Sequence, residues 1–129
     1  MPLDGTLPGS ALAELPERSF SVYLHVPFCH SRCGYCDFNT YTASELRGMS
    51  TGDYLTAALQ EIDLAARVLG DGVPEADTVF VGGGTPTMLP AGELSRLLDA
   101  VRERFGLVRD AEITTEANPE TVTPEYLRR

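Results

Sequence analysis

A chain of 129 residues with 43% hydrophobic and 22% charged residues has the composition of one globular domain, and a chain of this size hides about two-thirds of its unfolded surface. Nineteen acidic against ten basic residues give a net charge of −9, with no basic stripe, which argues against nucleic acid as a partner. No apolar run approaches the ~20 residues that span a bilayer and no secretory signal pattern is visible, so the expected location is the cytoplasm.

Residues 1–19 carry Pro2, Gly5, Pro8, Gly9 and Pro16 with little periodicity, and are expected to form an irregular lead-in. Residues 21–26 alternate Val22, Leu24 and Val26 against Tyr23 and His25, which is strand period, and Pro27 ends the strand. A loop bearing the cysteines follows. Leu55, Leu59, Ile62, Ala66 and Leu69 recur at helical spacing, with Ser50 or Asp53 as the cap and Gly70 as the stop. Thr78 to Val81 reads as a short strand, broken by Gly82-Gly83-Gly84-Thr85-Pro86. A second helix shows Leu94, Leu97, Leu98, Val101 and Phe105, with Gly106 beyond it. A third strand is expected from Glu112 to Glu116, then a turn at Asn118-Pro119. Thr123-Pro124-Glu125 reads as a cap, a first-turn proline and a first-turn acid, opening a third helix that has barely begun at Arg129.

Strands alternating with helices predict an α/β fold with a parallel sheet and right-handed crossovers. Three strands are few for a closed sheet and would leave an exposed edge. Residues 20–129 are therefore expected to be the N-terminal portion of a larger partial (β/α) barrel.

Cys29, Cys33 and Cys36 are the only cysteines, and they fall within eight residues. An odd, crowded set does not suit a disulfide framework; thiolates this close suit soft metals. A cubane cluster held wholly by protein uses four cysteines, so three leave one iron open to an amine and a carboxylate. The alternative is a zinc-binding interaction module, its site completed by His25 or His30; zinc loops ordinarily add a distant second pair of ligands, which is missing here. Phe28, Tyr35 and Phe38 put aromatic surface around the thiols, or simply pack into the core. The glycine run lets backbone approach a ligand closely, and is not a phosphate loop because the Lys-Ser/Thr ending is absent. Glu116, at a strand end, would point into the same mouth; on position alone it is as readily a solvated acid. His25, sharing a strand face with Tyr23, reads as a satisfied core histidine more than a ligand.

The run Tyr23-Leu24-His25-Val26-Pro27-Phe28-Cys29, followed by Cys33-Gly34-Tyr35-Cys36-Asp37-Phe38-Asn39, resembles the radical S-adenosylmethionine superfamily, and within it the oxygen-independent coproporphyrinogen oxidase-like branch. The resemblance implies a radical-SAM partial barrel whose [4Fe-4S] cluster is held by Cys29, Cys33 and Cys36. It implies S-adenosylmethionine at the open iron, met by Tyr23, Tyr35, Gly83, Gly84, Thr85 and Glu116. Oxidase members of the branch carry a further cysteine at the position of Phe38; Cys-Asp-Phe-Asn is instead the pattern of the heme-chaperone subgroup. That implies heme and a heme-acceptor protein as partners, with the heme site beyond Arg129, and membrane association only through an acceptor. A radical enzyme that decarboxylates porphyrinogen propionates is the alternative. The sequence does not name an electron donor.

Overall fold

Alternation of Val22, Leu24 and Val26 puts one face of the first strand into a core, and the rest of the fold is built on that face. In the computed structural model, which describes residues 5–46 and 48–129, a short helix α1 (Gly9–Ala13) and a 3-10 turn (Leu15–Glu17) precede strand β1 (Ser21–Val26). Two-residue strands β2 (Phe28–Cys29) and β3 (Tyr41–Thr42) flank the cysteine loop. Helix α2 (Thr51–Leu69), strand β4 (Ala76–Gly83), helix α3 (Ala91–Phe105) and strand β5 (Leu107–Thr115) complete the frame.

The main sheet is parallel and ordered β1–β4–β5. Ser21 lies opposite Thr78 and Val26 opposite Gly83; Thr78 in turn faces Glu112 and Val81 faces Thr115. Leu24, Val26, Val79 and Val81 point to one face and pack with Leu55 and Ile62 of α2 and Leu94, Leu97, Val101 and Phe105 of α3. Asp63 and Arg104 link the two helices at 2.6 Å, an exposed pair that contributes about 0–1 kcal/mol. The opposite face of the sheet carries Tyr23 and Phe80, stacked with ring centroids 6.0 Å apart and both exposed.

Four expectations change. Residues 5–19 are not wholly irregular: Pro8 opens α1, and Pro16 sits in the first turn of the 3-10 segment, where its fixed φ is already helical; residues 1–4 lie outside the described residues. The second strand does not break at the glycines, because Gly82 and Gly83 continue the ladder opposite His25 and Val26. The third strand begins at Leu107, five residues early. A register shift between Ala76 and Thr78 absorbs the extra length, and the polar residues there face outward. The third helix is only a 3-10 turn, Tyr126–Arg128, whose N-cap is Glu125 and not Thr123; Thr123 Oγ1 nevertheless accepts from the Tyr126 amide at 3.1 Å.

Both cap candidates of α2 work together. Ser50 Oγ accepts from the Asp53 amide at 3.1 Å, and Asp53 Oδ2 accepts from the Ser50 amide at 2.9 Å, a capping box. The bond from the Ser50 amide first, and one from the Ser50 hydroxyl to Asp53 Oδ2 at 2.7 Å second, hold the Asp53 carboxyl below its ordinary range. Ser50→Ala is expected to lower stability by about 1 kcal/mol in chemical denaturation; an unmoved midpoint would count against the cap.

Candidate functional site

The cysteine loop is pinned at both roots. The Tyr41 amide donates to the Pro27 carbonyl at 2.7 Å, and Phe28–Cys29 pair in parallel with Tyr41–Thr42. Inside the loop, the Arg32 guanidinium donates to the Thr40 carbonyl at 2.5 Å and meets Glu45 at 3.2 Å. Glu45 also accepts from the Thr42 amide and hydroxyl; those bonds first, and the Arg32 charge second, hold its carboxyl below the ordinary range. The loop therefore closes although residues 30–40 have no helix or strand of their own.

Strand β4 closes over this loop. The Gly84 amide donates to the Val26 carbonyl at 2.7 Å and the Thr85 amide to the Phe28 carbonyl at 2.6 Å. A Cβ on Gly84 would overlap the Phe28 carbonyl and come within 2.9 Å of Cys29 Sγ, so glycine alone allows this approach. Gly83 has φ 116°, and a Cβ there would press on the His25 ring at 2.8 Å. Glu116 Oε2 accepts from the Gly83 amide at 3.1 Å, which brings the end of β5 onto the glycine run. The turn after Glu116 is held by buried Thr87, whose hydroxyl accepts from the Asn118 amide at 3.2 Å and lies 2.5 Å from that of Thr121.

The result is a cavity of about 470 Å³ lined by all three cysteines, Tyr35, Gly83, Gly84, Thr85 and Glu116. The thiols are free of disulfides; Cys29 is buried, Cys36 half-buried and Cys33 exposed. Among the described residues no group of three or more His, Cys, Asp or Glu converges tightly enough to hold a metal ion. The three sulfurs line one cavity. Three cysteine thiols on one cavity are the donor set of a cubane that leaves one iron open, whereas a tetrahedral zinc site needs a fourth ligand. The donor set is soft, and the glycine wall leaves room beside it.

One expected residue lies elsewhere. Tyr23 does not line this cavity; it lines a separate groove beside β1 and α2. Its hydroxyl is 2.9 Å from His25 Nδ1, while His25 Nε2 is 2.8 Å from the Asn39 carbonyl. A carbonyl only accepts, which assigns a proton to Nε2; in the neutral ring Tyr23 is then the donor to Nδ1. Burial, then the Glu116 charge, holds the Tyr23 phenol above its ordinary value. Tyr54 donates to the His25 carbonyl at 2.8 Å, and burial pushes its phenol up to about 12. His25 is thus the satisfied histidine its position suggested, although it ties β1 to the cysteine loop; His30 lines the cavity.

Sequence reasoning passed over Asn118 and Glu120, which also line the cavity, and Thr40, which is buried with its hydroxyl 3.7 Å from Cys36 Sγ. The signal for Thr40 was its place four residues after a thiol, beyond the reach of pattern reading.

The sequence pattern of the Radical SAM superfamily matches residues 23–129. The chain is 54% identical over 120 residues to the "Heme chaperone HemW" of Mycobacterium tuberculosis (strain CDC 1551 / Oshkosh), covering 93% of this chain and 30% of that protein. It is 37% identical over 117 residues to the "Oxygen-independent coproporphyrinogen III oxidase" of Salmonella typhimurium, covering 91% of this chain and 25% of that one. The solved structure of coproporphyrinogen III oxidase (HemN) from Escherichia coli, described as a Radical SAM enzyme, superposes with a TM-score of 0.77 at 36% identity, over 92% of this chain and 27% of that chain. The chain thus spans under a third of the length of each of these three proteins.

Proposed function

The chain belongs to the radical SAM superfamily, and we propose that within it the protein is a heme chaperone that holds a [4Fe-4S] cluster and S-adenosylmethionine and passes heme to acceptor proteins. Residues 20–129 are then the N-terminal portion of its radical SAM core domain, with 1–19 as a lead-in, working in the cytoplasm. Among the described residues no helix is long and apolar enough to cross a membrane.

The observation that carries the cofactor reading is the single cavity shared by three free thiols, the glycine run and Glu116. Cys29, Cys33 and Cys36 would ligate three irons; Gly83, Gly84 and Thr85 would offer backbone to the cofactor's methionine end, and Glu116 would accept from its amine or ribose. When bound, the cluster supplies an electron and an open iron where S-adenosylmethionine chelates. Tyr35, almost fully exposed at the rim, is free to cover that ligand. Tyr23 would act through His25 rather than from the cavity wall.

Phe38, at the cavity wall where oxidases of the branch carry a further cysteine, supports the chaperone over the oxidase, as does the higher identity to HemW. The oxidase stands as the second reading because a solved oxidase shares the fold at 36% identity. The full-length protein, reconstituted anaerobically with iron and sulfide, is expected to take up heme, read as a new Soret band, and to leave coproporphyrinogen unconverted. Robust turnover of coproporphyrinogen would overturn the chaperone reading.

A further inference from the structure

We infer that Thr40 tunes the cluster: its hydroxyl donates a hydrogen bond to the Cys36 thiolate and raises the cluster's reduction potential. The inference rests on the cluster reading above.

Thr40 is 2% exposed, although it adjoins an irregular loop and carries a polar side chain. A hydroxyl buried that deeply is ordinarily hydrogen-bonded. Among the described residues its one side-chain partner is Cys36 Sγ, at 3.7 Å. With a free thiol, either group can donate. A metal-bound sulfur has lost its proton and can only accept, so ligation fixes the direction: Thr40 donates and Cys36 accepts.

The backbone holds the hydroxyl in place from both sides. The Thr40 amide donates to the Phe38 carbonyl at 2.9 Å, and the Thr40 carbonyl accepts from Arg32 at 2.5 Å. Tyr41, the next residue, is paired with Phe28 in the β2–β3 ladder. Thr40 is thus fixed relative to the wall that bears Cys29, while Cys36 rides on the loop. A donor fixed in this way withdraws charge from the sulfur and favours the reduced, more negative cluster. Hydrogen bonds to sulfur are among the levers that set cluster potentials.

The experiment compares wild type, Thr40→Val and Thr40→Ser in the full-length protein. Valine keeps the shape and removes the donor; serine keeps the donor and removes a methyl group. Each is reconstituted anaerobically, its iron counted, and its potential measured by redox titration followed by EPR. The expected result is about four irons per chain in wild type, a more negative potential for Thr40→Val, and a wild-type potential for Thr40→Ser. A potential does not depend on the amount of cluster loaded, so a poorly loading valine variant still reports. Equal potentials for valine and wild type, or a serine variant that tracks valine, would overturn the Thr40 inference and leave the cluster reading intact. A wild-type protein that takes up no iron would remove the cluster reading itself.

Discussion

Gly84→Ala is expected to strip the protein of most of its iron and to lower its stability by about 1–3 kcal/mol. The added methyl group meets the Phe28 carbonyl and Cys29 Sγ, and the backbone it collides with is itself fixed. The Gly84 amide is bonded to Val26 and the Thr85 amide to Phe28, so relief requires parting β4 from the root of the cysteine loop. Either Cys29 moves off its position or the ladder opens, and both spoil the ligand set. Gly34→Ala is the matched control. It lies between Cys33 and Cys36, yet a Cβ there meets nothing within 4 Å. That variant is expected to stay within about 0.5 kcal/mol of wild type and to load normally. The readouts are iron content after anaerobic reconstitution and the denaturation midpoint. Full loading of the Gly84 variant would show that the close approach to Cys29 has no bearing on the site.

Cys33→Ala is expected to abolish the cluster's charge-transfer absorption while leaving the melting of the apoprotein unchanged. Of the three thiols, Cys33 is the exposed one, so its removal opens no cavity in the core. Cys29 is 8% exposed, and its truncation would mix lost ligation with lost packing. The Cys33 variant therefore separates chemistry from fold. A spectrum identical to wild type after reconstitution would refute its role as a ligand.

The frame of the fold was legible because its elements are long enough to show a period. Alternation marked β1, and 3.6-residue spacing marked α2 and α3, whose burial at Leu55, Ile62, Leu94, Leu97, Val101 and Phe105 follows the pattern. The β2–β3 ladder was not legible, because two residues per strand carry no period and their pairing spans the whole cysteine loop. The start of β5 was hidden for another reason: Arg109 and Asp110 are exposed, so nothing alternates there. Glycine misled at the end of β4. Its chain-breaking tendency was outweighed by ladder bonds to β1 and by the need for bare backbone beside Cys29 and His25.

The site was legible to the extent that it is local in sequence. Three crowded cysteines and three successive glycines announce themselves. That Glu116 meets the Gly83 amide follows from the register of β5 on β4, consistent with its place at a strand end. Tyr23 was assigned to the cofactor by resemblance, and its strand face does lie toward Phe80 and Glu116. What composition and spacing omit is the tie through His25 and the Asn39 carbonyl, which gives Tyr23 a route to the loop other than the cavity wall.

The bonds from Gly84 and Thr85 back to Val26 and Phe28 also set an order of assembly on the ribosome. The thiols are made early, but the wall that fixes Cys29 is made about 50 residues later. At ~5–20 residues per second that interval is roughly 2–10 s. During it the cysteine segment has its roots at Pro27 and Tyr41, Glu45 and the Tyr54 end of α2 to fold against, but not the glycine wall. Because β1, β4 and β5 stand in the sheet in their order of synthesis, each new strand finds its neighbour already in place. The pocket is therefore completed from the thiol side outward: sulfurs first, glycine wall second, Glu116 and the turn bearing Asn118 and Glu120 last.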